Sequence, residues 1–111
     1  MDKKLKDSLS KIKLLICDID GVLTDGSFIK STSGEELRSF NALDGVGFVV
    51  LRLLDLNVKT AWITGRESIT TTQRAEELQI DDVYNGRYEI SHNFSTLFGD
   101  FSYVVFQYKR R

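Results

Sequence analysis

Apolar residues run along this chain with two different periods. Residues 12–17, Ile-Lys-Leu-Leu-Ile-Cys, are apolar apart from Lys13, the pattern of a strand buried on both faces of a parallel sheet. Residues 58–63, Val-Lys-Thr-Ala-Trp-Ile, form a second β-rich run that ends at Thr64-Gly65-Arg66. Between them, residues 44–57 carry apolar side chains at 46, 49, 50, 53 and 54, which is helical spacing, with Asp44 as N-cap and Asn57 as stop. Residues 67–80 predict an amphipathic helix, although three consecutive threonines lower its propensity. Residues 81–86, Asp-Asp-Val-Tyr-Asn-Gly, read as a short third strand and a turn. Two short alternating runs within 27–40 flank Ser33-Gly34 and predict a β-hairpin.

Strand, helix, strand, helix, strand is the doubly wound α/β pattern, and with no proline, repeat or low-complexity segment it predicts one domain over 1–111. The opening ten residues read as a loose arm or a short amphipathic turn. Residues 91–111 differ: aromatics are dense, the helical period fades, and only 101–108 resembles a strand, with no evident place in the sheet.

Composition narrows the function classes. Fifteen basic and sixteen acidic side chains give a net charge of −1, so no global field favours nucleic acid or an anionic membrane. Lys109-Arg110-Arg111 reads as a solvated tail. With one cysteine, Cys17, neither an intrachain disulfide nor a multi-cysteine zinc site can form. The N-terminus lacks an apolar signal core and no segment is long enough to span a bilayer, so the expected setting is the cytoplasm.

The chemistry sits where the apolar runs end. Ligands of open α/β sheets bind outside the carboxyl ends of the strands. The first such loop carries Asp18 and Asp20, and the second carries Thr64, Gly65 and Arg66. Two carboxylates two residues apart divide labour well: one stays ionised as nucleophile and metal ligand, the other exchanges a proton. A hydroxyl and free backbone N–H groups at the second loop suit a phosphoryl group. Together they point to phosphoryl transfer through an aspartyl-phosphate, with a hard cation such as Mg²⁺ offsetting charge. Either loop alone is an ordinary turn; their order on consecutive strands raises the pair.

Cys-Asp-Ile-Asp-Gly-Val-Leu-Thr-Asp-Gly-Ser, residues 17–27, resembles the D-x-D-G-V-L-T-D signature of the haloacid dehalogenase superfamily, and Ala61–Ser68 resembles its second motif. The narrower resemblance is to small phosphatases acting on 3-deoxy-D-manno-octulosonate 8-phosphate. It adds Gly34–Leu37, Phe40-Asn41, Asp44-Gly45-Val46-Gly47, Ile63–Arg66 and Tyr84-Asn85-Gly86, and covers about residues 12–88. The resemblance implies a Rossmann-like fold and Mg²⁺-dependent hydrolysis of a sugar-acid phosphate in lipopolysaccharide biosynthesis. Asp18 would be the nucleophile and a metal ligand. Asp20 would be the general acid–base and offer its backbone carbonyl to the metal, and Thr64 would bind phosphoryl oxygens. Asp20, Thr64, Gly65, Arg66 and Asn41 are the implied substrate contacts. The hairpin, with Phe28, Ile29, Leu37 and Phe40, would replace a cap domain and close a neighbour's site in a homotetramer.

The resemblance stops near residue 89. The family places a lysine shortly after the Y-x-G turn and a G-D-D-x-x-D loop after another strand. Here residues 87–90 are Arg-Tyr-Glu-Ile, Arg87 comes too early, and Gly99-Asp100 has no second acid after it. A reading-frame change, a premature stop or a fragment would produce this pattern, leaving a chain whose last third is altered or missing and whose metal and phosphoryl charge are under-compensated. The alternatives are a phosphatase for another nonulosonate phosphate, the phosphatase-like part of a nucleotide-sugar synthetase, and a non-catalytic module that oligomerises. A receiver-like phosphoacceptor is disfavoured by the hairpin. Cys17 and Trp62 read as core, His92 as surface, and Asp25 as either loop support or a plain turn residue.

Overall fold

A computed structural model of the chain describes residues 2–86 and the backbone of 103–106. The element order is α1 (Lys3–Leu9), β1 (Leu14–Asp18), β2 (Ile29–Lys30), β3 (Glu36–Leu37), α2 (Ala42–Leu53), β4 (Lys59–Ile63), α3 (Ile69–Glu77), β5 (Asp82–Tyr84) and β6 (Tyr103–Phe106). Four strands form one parallel sheet in the order β5-β4-β1-β6, and β2 and β3 make a separate antiparallel hairpin. This is the α/β arrangement that the alternating pattern predicts.

The two faces of the sheet sort by the period-two alternation of its strands. Cys17, Ile19 and Trp62 lie with Phe48 of α2 and with Ala75 and Leu78 of the α3 region in one buried cluster. Trp62 is its largest member; Phe40 stacks on it at 6.0 Å between ring centroids and Phe48 meets it edge-on at 5.6 Å. Leu14, Ile16, Ala61 and Ile63 form the second cluster, with Tyr84 packed against it. Cys17 is a core thiol whose pKa burial pushes up to about 12, with Asp44 and Asp18 adding to the rise, so it is no nucleophile.

Three boundaries differ from the sequence reading. The N-cap of α2 is Asn41, not Asp44: Asn41 is extended, and its side chain accepts from the Leu43 N–H at 2.8 Å. Asp44 sits in the first turn, where its charge suits the helix dipole. The helix also ends at Leu53, short of Asn57, and both Asp55 and Asn57 adopt left-handed backbone in the loop that follows. The opening residues are a seven-residue helix capped by Asp2 that buries no side chain. The strand-like part of the tail pairs in parallel with β1, Leu14 opposite Tyr103 through Cys17 opposite Phe106. His92, Asp100 and Arg87 lie outside the described residues. Among the described residues no helix is long and apolar enough to cross a membrane.

Burial predicts a contrast. Ile16 is 1% exposed and Leu9 46% exposed. Ile16→Val should lower the unfolding free energy by about 0.5–1.5 kcal/mol, and Leu9→Ala should change it by less than about 0.5 kcal/mol. Urea unfolding checks both; equal effects would contradict the placement of the core.

Candidate active site

Parallel pairing of β1 with β4 sets Asp18 opposite Ile63, so the two chemically loaded loops leave the sheet side by side. After Asp18 the chain turns at once. Gly21 takes the left-handed conformation (φ 87°), and the Ile19 carbonyl accepts from the Val22, Leu23 and Thr24 amides. Thr24 fastens this loop: its hydroxyl accepts from the Gly21 and Gly26 amides at 3.2 Å each. Asp25 only accepts from Ser27, an exposed turn contact that leaves the loop's hold to Thr24.

Asp18 is half-buried, and its Oδ1 accepts from the Ile19 amide at 2.7 Å. Burial raises its carboxyl pKa, the Ile19 bond opposes the rise, and the charge of Asp20 adds to it. Asp20 is held on both oxygens. Arg38 Nε donates to Oδ1 at 3.1 Å, and the Thr64 hydroxyl donates to Oδ2 at 3.1 Å. The structure therefore joins Asp20 and Thr64 directly, with Asp18 two residues from Asp20 at the end of β1. Gly65 and Arg66 follow in the second loop.

That loop offers fewer free donors than its sequence implies. The Thr64 amide donates to the Tyr84 carbonyl at 3.0 Å, and the Arg66 amide donates to the Thr64 hydroxyl at 3.2 Å. Arg66 extends to the hairpin, where its Nε and Nη2 meet the Glu36 carboxylate at 3.3 and 2.7 Å and its guanidinium lies 4.1 Å from the Phe28 ring centroid. Asn41 caps α2 and lines a pocket with Thr24 and Asp25 of the first loop.

Sequence reasoning missed Arg38 and Glu36. Both are on the hairpin, two residues apart: Glu36 opens β3, Arg38 comes just after it, and the two side chains pair beside Asp20. That spacing was the available signal. Arg38's side chain is 1% exposed, an extreme value for a guanidinium. Its Nη1 is 3.1 Å from Glu36 Oε2 as an ion pair. Thr70 adds a bond from its hydroxyl to the Glu36 carbonyl at 3.2 Å. Of the four hairpin residues expected to face a neighbour, Phe40 packs on Trp62, Phe28 lies under Arg38 and Arg66 yet stays exposed, and Ile29 and Leu37 are exposed across from each other.

For a hard cation the donors fit in kind: Asp18 supplies a carboxylate and Asp20 a main-chain carbonyl. They fall short in number, since no group of three or more acidic, histidine or cysteine residues that could hold a metal occurs among the described residues.

Comparison with known proteins follows the same lines. The 3-deoxy-D-manno-octulosonate 8-phosphate phosphatase of Yersinia pestis is 44% identical over 78 residues, covering 70% of this chain and 41% of that protein. The enzyme of the same name from Haemophilus influenzae is 35% identical over 85 residues, covering 77% of this chain and 46% of its own length. Among solved structures, the phosphatase of that name from Moraxella catarrhalis, in complex with magnesium ion, phosphate ion and a KDO molecule, superposes with a TM-score of 0.76. It is 31% identical over 87% of this chain and 55% of its own. The chain thus spans less than half the length of these curated relatives. No family model matches.

Glu36 gives the hairpin a pH signature. The Arg66 hydrogen bonds, with Arg38 assisting, hold its carboxyl at about 2 against an ordinary 4.5. A depressed acid contributes stability that is fully present above pH 4.5 and is lost as pH falls through about 2. Between those limits the urea midpoint should fall more steeply for the parent than for Glu36→Gln. Parallel slopes would show that the carboxylate is not held in solution.

Proposed function

We propose that this chain, a homologue over part of its length of the haloacid dehalogenase-type 3-deoxy-D-manno-octulosonate 8-phosphate phosphatases, is built for Mg²⁺-assisted hydrolysis of a sugar-acid phosphate. The observation that carries the reading is Asp20, bound on both oxygens at the end of β1 and facing Thr64 at the end of β4. The homology supports the substrate class and the cation; the matched stretch covers 41% and 46% of the two relatives.

Asp18 serves as nucleophile. Its carboxylate oxygen attacks phosphorus, the bond from phosphorus to the sugar oxygen breaks, and Asp20, entering this step protonated, gives its proton to that oxygen. Asp20 then takes a proton from water, whose oxygen attacks phosphorus, breaking its bond to Asp18 and releasing inorganic phosphate and the free carboxylate. Asp18 and the Asp20 carbonyl would hold Mg²⁺, which when bound offsets negative charge on the phosphoryl oxygens. The half-buried setting that raises the Asp18 pKa makes such an offset necessary, because the nucleophile must be ionised beside a second carboxylate. Thr64 orients Asp20, and its hydroxyl would bind a phosphoryl oxygen. Gly65 and Arg66 border the substrate, Arg66 from its place on Glu36.

A second reading rests on a separate observation. Leu43, Val46, Val50 and Leu53 are exposed at helical spacing along α2, and Ile29 and Leu37 are exposed on the hairpin. Such surface suits self-association, with or without catalysis, and the homotetramer belongs to this reading.

Assay with Mg²⁺ and 3-deoxy-D-manno-octulosonate 8-phosphate separates the two. Turnover in the parent should fall at least about a thousandfold in Asp18→Asn, the scale of losing a nucleophile. A parent with no turnover that sediments as a stable oligomer would establish the non-catalytic module instead.

A further inference from the structure

Arg38 is buried to 1% exposure with only part of its hydrogen-bonding capacity used. Nε is spent on Asp20 Oδ1. Nη1 is near Glu36 Oε2 at 3.1 Å but makes no hydrogen bond, and Nη2 has no acceptor among the described residues. Leaving charged donors dry and unmatched is costly, and an orphaned donor of this kind marks a ligand or water that belongs there. The unmatched edge belongs to a side chain whose other edge holds the proton-handling carboxylate, next to Thr64.

From this we propose that Arg38 is the phosphoryl-binding cation of the site: its Nη groups donate to the non-bridging oxygens of the phosphoryl group while Nε holds Asp20. The proposal rests on the aspartyl-phosphate reading and adds to it the source of positive charge. Among residues 87–90 no lysine stands after the Y-x-G turn. A guanidinium presented from the hairpin meets the same electrostatic need from the opposite direction, with planar donors matched to phosphate oxygens. Phe28, 5.4 Å from the guanidinium, screens it from water and strengthens such a contact. Glu36 is the internal competitor, drawing Nη1 when no anion is present.

Binding of inorganic phosphate to the full chain tests this without requiring turnover. Calorimetry with Mg²⁺ at constant ionic strength would compare the parent with Asp18→Asn, Arg38→Met, Arg38→Lys and Glu36→Gln. Arg38→Met should lose about ten- to hundredfold in phosphate affinity, the worth of charge-assisted hydrogen bonds. Arg38→Lys should recover part of that loss, Glu36→Gln should bind phosphate at least as tightly as the parent, and Asp18→Asn should still bind it. If Arg38→Met does not fold, the guanidinium ¹⁵N–¹H resonances of the parent, assigned against Arg38→Lys, report directly and should shift on adding phosphate. Undiminished affinity in a folded Arg38→Met, unmoved resonances, or no phosphate binding in the parent would each overturn the proposal. Turnover of the parent reports on the enzymatic reading and phosphate affinity across the Arg38 variants reports on this one, so their failures give different results.

Discussion

The site depends on one carboxylate held from two directions. Asp20 takes a guanidinium from the hairpin on one oxygen and a threonine hydroxyl from β4 on the other, each at 3.1 Å. The first bond joins residues eighteen apart in sequence and the second joins residues forty-four apart. A residue at the end of β1 therefore ties together the hairpin, the first strand and the fourth. Removing either partner leaves a part-buried carboxylate with an unmatched oxygen, and removing Asp20 strands a guanidinium almost without solvent.

This arrangement explains how so short a hairpin keeps its position. Two strands of two residues each cannot hold a register against the sheet by themselves. Glu36 in β3 and Arg38 just after it meet Arg66 and Asp20, while Thr70 takes the Glu36 carbonyl from the start of α3. Phe28 lies beneath both guanidinium groups at 5.4 and 4.1 Å, so its ring covers the charges it attracts. Such paired and stacked charges escape the usual rule that surface ion pairs are worth little, because Arg38 is not at the surface.

How far the sequence discloses this depends on the range of the interaction. Strands β1 and β4 follow from local pattern, since burial on both faces forces a continuous apolar run, and the hairpin follows from alternation about Ser33-Gly34. Asp18, Asp20 and Thr64 come together as their strand-end positions imply. The cap of α2 shifts from Asp44 to Asn41 because both residue types cap well and only the extended backbone at Asn41 decides between them. Supposedly free amides at Thr64 and Arg66 are taken by Tyr84 and by Thr64's own hydroxyl, pairings that depend on β5 lying beside β4 and on the turn after it. Arg38 and Glu36 look like any charged pair on a polar hairpin; their burial is a tertiary fact. The tail's strand was visible as a strand, but its place beside β1 was not, because an edge position is set by pairing rather than by composition.

The electrostatics of Asp18 cannot be separated from the hairpin. Asp18 carries a raised pKa from burial, increased by Asp20. Arg38 neutralises Asp20 in place, which limits the repulsion that Asp20 exerts on Asp18 and keeps two acids two residues apart compatible with a folded loop. A guanidinium is suited to this because it stays charged across the working pH range and divides its donors between partners, one edge for Asp20 and one for a second anion. The hairpin is then part of the charge balance of the site as well as its cover, and a hairpin displaced from Asp20 would alter Asp18 without touching it.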